Sequence, residues 1–426
     1  MKVEVKCEGR AFHPTEVIER DWGTFYIVYV GEGYVWVVAE RKGREYEVSV
    51  EDRVPSIEKR IFVNDIEITN RRQKIPMQIP KPDTFMLDAN NPFISYYAPL
   101  DVGCSFGVIA NHHAQELPKY GYNVHRFTLE DLDYGNLTND PIGVLHPLFF
   151  FAHYGLPLIR FNTFLNSHKK LAGFDLADTD KISPRMADLA NKVDLIMVPS
   201  EFSQRVYIES GVTKPVEVVP HGLSSLFDSP KQTSESSDDN VNVLFFFLHS
   251  TLRKGADIVY TVMKRILKER KNVHLIVKGG DDPQLGFTHL PRTTIIRNWM
   301  QEDELIRLYD SCQILLAPSR GGGFELNVLE ALARGLVTIT STWPAITEYA
   351  DGALFIRSRG KANCLPDNPV HIGYGVDPDP EHAYELINYA LDNLDYLKKK
   401  AEKKAPEFRE KYTWAKVAEK ISVLLK

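Results

Sequence analysis

The sequence predicts an α/β protein with two successive parallel-sheet domains and a smaller β-rich domain ahead of them. Three observations predict it. Residues 1–82 alternate apolar and polar positions and carry few helix starts. From about residue 84, short apolar strands alternate with amphipathic helices, the pattern of a parallel sheet with helical crossovers. That pattern breaks at the Ser- and Asp-rich stretch "LSSLFDSPKQTSESSDDN" (223–240) and then starts again. The expected division is 1–82 as a β-rich accessory domain, 83–228 and 229–400 as the two α/β domains, and 401–426 as a C-terminal helix placed to pack back on the first of them.

Within 1–82, "TFYIVYVGEGYVWVVAERKGREYEVSV" reads as a three-stranded meander, with turns at Gly31–Gly33 and Lys42–Gly43. The proline-rich "KIPMQIPKPD" reads as a linker. The first α/β domain then opens with the strand "FMLDA" and a loop carrying Gly103 and Gly107. The helix "GVIANHHAQELPKYG", closed by Gly121, and the strand "YNVHRFTL" follow. Further strands are expected at "GVLHPLFFF", "LPLIRFN", "DLIMVPS" and "VEVVPHG". After the connector come strand "VNVLFFFLHS", helix "KGADIVYTVMKRILKERK" and strands "VHLIVKGG" and "TTIIRNW". Helix "QEDELIRLYDSC", strand "QILLAPS", a glycine-rich loop with its helix, and strand "VTITST" complete the second sheet. Ligands of doubly wound sheets lie at the carboxyl ends of the strands. Loops 248–257, 278–282 and 318–325 all follow strands, so they are expected to share one edge.

Composition excludes several classes. With 426 residues, 43% hydrophobic and 25% charged, the chain is long enough for two or three domains. A net charge of −6 argues against a general nucleic-acid or membrane-surface binder. Cys7, Cys104, Cys312 and Cys364 lie far apart with no C-x-x-C pair, which suits a reducing cytoplasm better than a disulfide framework or a zinc site. The N-terminus lacks the apolar core of a signal peptide. The most apolar run, Ile142 to Phe161, is interrupted by two histidines and two prolines, so no transmembrane span is expected.

Two loops carry chemistry. In "HSTLRKGAD" a strand ends and Arg253-Lys254-Gly255 introduces a helix, which places cations beside free backbone N–H groups, a setting for phosphate. In "APSRGGGFELNVLEALARG" the run Gly321-Gly322-Gly323-Phe324 lets the backbone approach a ligand, and the helix behind it contributes its positive end. Glu325 and Glu330 sit in the first turns. Glu325 is a cap or a ligand acceptor, and Glu330, among Leu326, Val328, Leu329 and Leu332, is a half-buried acceptor for sugar hydroxyls. Other constellations are weaker. The D-x-D form occurs at Asp131–Asp133, Asp178–Asp180 and Asp377–Asp379, too often to mark a metal site. His112, His113 and Glu116 have helical spacing but no evident third ligand, so no metal is expected. No G-x-G-x-x-G follows a strand, which counts against a dinucleotide oxidoreductase.

"PSRGGGFELNVLEALARGLVTIT" resembles the signature of the retaining, nucleotide-sugar-dependent glycosyltransferases of group one. Their GT-B fold sets two Rossmann-like domains across a cleft. "DLIMVPSEFSQRVYIESGV", "VEVVPHGL", "RKGAD" and "YTWAKVAEKI" extend the likeness along most of the chain from about residue 84, whereas 1–82 match nothing in it and 360–380 read as an insertion. The resemblance implies Lys254 on the donor diphosphate and Glu330 on the donor ribose, with Arg253, Gly322, Gly323, Phe324 and Leu326 around the donor. Acceptor and cleft positions fall to Gly103, Ser105, His112, Asn162 and His221. Two departures stand out. Gly322 occupies the position of the family's first Glu, so Glu325 is the available substitute. The Arg expected before Lys254 falls on His249 or Leu248, which leaves His249 or Arg253 for that role. The catalytic candidates are thus Lys254, Glu325 and His249.

The function this implies is transfer of a hexosyl-type sugar from a nucleoside-diphosphate sugar to a glycan or other hydroxyl acceptor, with retention and without a cofactor or metal. The alternative is a catalytically inactive relative that binds nucleotide or glycan.

Overall fold

The computed structural model describes residues 3–7, 10–20, 23–30, 33–42, 45–52, 59–76, 83–86, 88–100, 104–134, 138–153, 156, 158–231, 240–247, 250–279 and 286–426. The chain divides into two compact units, 1–82 with 131–137, and 83–130 with 138–426.

The first unit is built on two antiparallel sheets. A four-stranded antiparallel sheet runs in the order Arg10–Phe12, Val3–Cys7, Lys59–Val63, Ile66–Glu67, and a five-stranded one in the order Glu16–Arg20, Gly23–Val30, Gly33–Lys42, Glu45–Asp52, Arg72–Pro76. The meander read from the sequence is the middle of the second sheet. Period-two alternation decides its faces: Val35, Val37 and Ala39 are buried, while Trp36 between them is 38% exposed. Val3, Val5, Ile61 and Val63 of the first sheet share one core with Val28, Val30, Val35 and Val37 of the second.

The second unit contains two parallel sheets. The first has seven strands in the order Asp83–Phe85, Asn123–Phe127, Phe93–Tyr97, Ile142–Leu145, Lys170–Phe174, Leu195–Val198, Val216–Val218, parallel except for its first edge strand. The other has six parallel strands in the order Thr293–Ile296, Val273–Gly279, Val241–Phe247, Ile314–Ala317, Val337–Ser341, Leu354–Ile356. This is the GT-B architecture that the sequence predicts.

Two strand assignments in the first sheet are corrected. The expected strand "FMLDA" is an edge strand that ends at Phe85, and the interior strand that follows it in the chain is Phe93–Tyr97, whose Ile94 and Tyr96 are fully buried. The expected strand "LPLIRFN" is the helix Leu158–Ser167, which buries Phe161 and Phe164 at helical spacing. The strand of that part of the sheet is Lys170–Phe174. A short apolar run does not separate strand from helix by pattern alone, and here the spacing of the two phenylalanines decides it.

In the second sheet the helix Ala256–Glu269 buries Ile258, Val259, Val262, Met263, Ile266 and Leu267, a continuous i, i+3/i+4 stripe. The helix Glu302–Asp310 starts with a reciprocal Gln301–Glu304 capping box. The connector is tethered before residue 232: Phe227 is buried, and Arg334, paired with Asp310 at 2.7 Å, donates to the carbonyls of Phe227 and Ser229.

The last helices cross between the sheets. Leu394–Lys411 lies against the second sheet's glycine-loop helix, where a Cβ on Gly335 would meet the Glu402 backbone. Trp414–Leu424 joins the first sheet's core through Trp414, Val417, Ala418 and Ile421. The Tyr122 hydroxyl donates to the Ser422 carbonyl there at 3.0 Å. No helix among the described residues is long and apolar enough to cross a membrane.

Candidate active site

The carboxyl edges of the two parallel sheets meet along one seam. On the second sheet, strand Val241–Phe247 leads to the short helix Thr251–Lys254, and Gly255 turns the chain into Ala256–Glu269. Gly255 has φ +73°, and a Cβ there would collide with the Pro318 carbonyl, so only glycine fits. Strand Ile314–Ala317 leads through the glycine loop into helix Leu326–Ala333.

That loop is held from every side. Thr340 and Ser341 hydroxyls donate to the carbonyls of Ala317 and Ser319, the Trp343 indole donates to the Gly322 carbonyl at 2.7 Å, and Tyr349 donates to the Glu325 carbonyl at 2.8 Å. Arg320 makes a bidentate pair with Asp257, both bonds 2.7 Å, and donates to the Leu252 carbonyl. The helix carrying Arg253 and Lys254 is therefore fastened to the glycine loop.

The glycines also allow a close approach within the protein. A Cβ on Gly321 would strike the Asp178 carbonyl, and one on Gly323 would strike Leu176. Their missing side chains let the loop close on residues 176–178 at the edge of the first sheet. Asp178 Oδ1 accepts from the Gly323 N–H at 3.3 Å and from Arg253 Nη1 at 3.4 Å. A carboxylate of the first α/β half thus lies where the sequence points to a ligand anion.

Glu325 is 1% exposed and makes no capping bond to its helix, which removes the capping alternative. Its Oε2 accepts from Lys254 Nζ at 2.5 Å. Its Oε1 has no hydrogen-bond partner and lies 3.8 Å from Arg253 Nη1. A Cβ on Gly322 would sit 2.5 Å from that same Oε1. The Glu325 carboxylate therefore fills the space in which a side chain at position 322 would begin. Burial lowers the Lys254 ammonium pKa, and the Glu325 charge opposes that shift.

Glu330, one turn further, accepts from the Tyr309 hydroxyl at 2.6 Å. Burial pushes its carboxyl up to about 7, against the opposing hydrogen bond from Tyr309. Phe324 stacks on Tyr349 at 4.4 Å and meets His221 edge-on at 5.0 Å. Leu326 turns towards the first sheet's core.

On the first sheet, His221 is 3% exposed, and burial lowers its imidazole to about 3. His112 stacks on Trp414 at 4.8 Å, stands 4.0 Å from Glu302, and is lowered to about 4 by burial. Ser105 is exposed at the start of helix Ser105–Glu116. Asn162, expected at a strand end, is instead on the exposed side of helix Leu158–Ser167, because that segment is helical. Gly103 and His249 lie outside the described residues.

Several residues at the seam escaped the sequence reading. His146 directly follows strand Ile142–Leu145 and shares the Tyr96 hydroxyl with His113. Its signal was the histidine at the end of "GVLH". Asp178 was visible only as a common D-x-D match.

The insertion forms the hairpin Ser358–Ala362 with Gly375–Pro378, and the loop between them runs along residues 178–183. Ser183 N–H donates to the Val370 carbonyl, Ile372 N–H to that of Lys181 and Asp180 N–H to that of Tyr374. Lys361 pairs with Asp180 at 2.7 Å, and His371 Nε2 lies 3.9 Å from Asp178 Oδ2. Among the described residues no three His, Cys, Asp or Glu side chains gather as a metal site.

Residues 242–365 match the family model described as glycosyl transferases group 1. A relative with the provisional name glycosyltransferase 45, from Sulfolobus islandicus filamentous virus (isolate Iceland/Hveragerdi), is 30% identical over 270 residues, 61% of this chain and 74% of its own length. Uncharacterized protein 356 of Sulfolobus islandicus rod-shaped virus 1 is 31% identical over 330 residues, 72% of this chain and 91% of its own. Among solved structures, sucrose-phosphate synthase from Thermosynechococcus elongatus superimposes with a TM-score of 0.58 at 13% identity, covering 78% of this chain and 98% of that one, a likeness of fold.

Proposed function

The chain belongs to the group 1 glycosyl transferases, and from that premise we propose that it moves a hexosyl-type sugar from a nucleoside-diphosphate sugar to a hydroxyl acceptor, with retention and without a metal. The observation that carries this reading is the Lys254–Glu325 pair at the mouth of helix Leu326–Ala333, where the edges of the two sheets meet.

In this reading the ribose hydroxyls bind Glu330, beside Tyr309, and the diphosphate lies against Lys254, Arg253 and the amides of Gly323 and Phe324. The bond from the anomeric carbon to the diphosphate oxygen breaks, and the acceptor oxygen bonds to that carbon on the same face. The acceptor proton leaves with the diphosphate. Negative charge grows on the departing oxygen, and Lys254 with the helix-end dipoles is already in place to stabilise it. Glu325 Oε1, lacking a partner, is available to a donor sugar hydroxyl or to the positive charge that develops at the anomeric carbon. His249 completes the catalytic set taken from the sequence. Gly322 contributes by leaving room for the Glu325 carboxylate.

The glycine at 322 and the histidine at 249, where the family's pattern places Glu and Arg, favour a second reading, a chain that binds nucleotide or glycan without turnover. Thermal shift with UDP, GDP and ADP and their sugars, with and without chelator, followed by product detection with the binding donor, separates the two. A chelator-insensitive shift with product supports transfer, and a shift without product from any acceptor supports binding alone. Lys254→Ala should lower turnover on the order of 10²–10³-fold. Wild-type rates in that variant would remove Lys254 from the mechanism.

A further inference from the structure

We propose that His113 and His146, both held by Tyr96, form with the neighbouring His221 a pocket for the hydroxyl of an uncharged sugar rather than for a phosphate. The proposal rests on the transferase reading and names the kind of group its first sheet receives. Tyr96 stands on the interior strand Phe93–Tyr97 and is fully buried. Its hydroxyl lies 2.8 Å from His113 Nδ1 and 3.0 Å from His146 Nδ1.

A phenol has one proton, so it donates to one imidazole and accepts from the other. The two rings are thereby set in opposite tautomers. One keeps its proton on Nε2 and the other leaves Nε2 bare. Both Nε2 atoms are buried without a hydrogen-bond partner, and so is Nδ1 of His221. The pair therefore presents one donor and one acceptor. An alcohol, which donates and accepts at one oxygen, matches that pair. A phosphate, which mainly accepts, matches only half of it.

The surroundings point the same way. The His113 and His146 rings are 5.9 Å apart, and His113, His146 and His221 touch Phe174 at 5.1, 4.6 and 5.8 Å. None of the three rings pairs with a carboxylate, lysine or arginine among the described residues. The titratable groups facing them are one another, Tyr96 and His112. Burial first, and then their mutual repulsion, lowers the imidazoles of His113 and His146 well below the usual histidine range, and burial does the same to His221. Neutral rings in an aromatic setting supply no charge for an anion. Trp414 and Phe324 close the group from the last helix and from the glycine loop, at the junction of the two sheet edges. The rings are at most 3% exposed, so a sugar enters when the two α/β halves part.

Side-chain ¹⁵N–¹H spectra of the full chain test this, with His113→Gln and His146→Gln used for assignment. His113 and His146 should be neutral and of opposite tautomer around neutral pH. Methyl glucoside and methyl mannoside form an acceptor arm, UDP-glucose and GDP-mannose a donor arm, and inorganic phosphate and glucose 6-phosphate a charged arm. Shifts of the Nε2 signals with a neutral glycoside support the proposal and identify an acceptor hydroxyl. Shifts with the nucleotide sugars alone support it and identify a donor hydroxyl. Matching tautomers, imidazolium signals, a response confined to the charged arm, or silence in both sugar arms overturns it.

The thermal-shift screen keeps the two readings apart. Nucleotide binding with silent histidines defeats only the pocket, and a histidine response with no nucleotide binding defeats the transferase. Tyr96→Phe should release the tautomer lock and raise KM for the responding sugar about tenfold, with a smaller change in kcat. A folded Tyr96→Phe chain with unchanged tautomers and KM overturns the proposal as well.

Discussion

Glu325 occupies the space in which a side chain at position 322 would begin. With glycine at 322, the carboxylate three residues later folds back into the vacated space and meets Lys254. Glu325→Gln should therefore lower kcat by roughly 10²-fold, and Gly322→Glu alone should also fail, since two carboxylates would compete for one space. The double exchange Gly322→Glu with Glu325→Gly should recover part of the loss. A double variant no better than either single one, measured as kcat with the identified donor, would show that the two positions are not interchangeable.

Glu330 gives a pH prediction. Burial raises its folded pKa to about 7, above the ordinary 4.5. Between those values the folded state binds the proton and the unfolded state does not, so stability from this group declines as pH rises from about 4.5 to 7 and then levels. Glu330→Gln should flatten that decline in denaturant titrations. Nucleotide affinity should run the other way, strengthening towards pH 8 as the carboxylate forms, and the Gln variant should lose that pH dependence. An equally steep binding profile in Glu330→Gln would detach the ribose from this residue.

Among the elements, the glycine loop is legible in its residues, and the packing adds a use for its glycines that the sequence does not carry. Its Gly run, the following helix and the two glutamates all stand where the sequence puts them. That Gly321 and Gly323 serve close approach to Asp178 and Leu176 depends on a neighbour about 145 residues away in the chain, and no local pattern carries that. Gly323→Ala should lower Tm by several degrees, the scale of a 1–3 kcal/mol overpacking cost. A Tm within a degree of the parent would mean that the seam yields. The first sheet was legible in kind and shifted in detail. "LPLIRFN" is apolar enough for a strand, and only the packing of Phe161 and Phe164 makes it a helix. The insertion read at 360–380 laces residues 178–183 through main-chain bonds.

At the scale of the molecule, the Trp414 helix fixes the end of the chain to the sheet on which the α/β unit begins. Trp414→Ala should cost about 3–5 kcal/mol, read from chemical unfolding, because the indole is 4% exposed and packs on His112, His113 and His221. The Asp178 bridge bears on ligand binding. Under the proposed donor geometry its carboxylate competes with the diphosphate for Arg253 and the Gly323 amide. Asp178→Ala should bind nucleoside diphosphate on the order of tenfold tighter, the scale of one charge-assisted hydrogen bond. Weaker binding in calorimetry would mean that Asp178 orients Arg253 instead.

Periodicity, glycine placement and helix starts are local properties, so the two parallel sheets, the β-rich unit ahead of them and the loops at the seam are already legible in the sequence. The tertiary structure alone decided which anion sits on Arg253, where the Glu325 carboxylate points, and that Tyr96 joins two histidines. Those outcomes depend on contacts between distant segments, and their energies come from burial and geometry that exist only once the sheets have met.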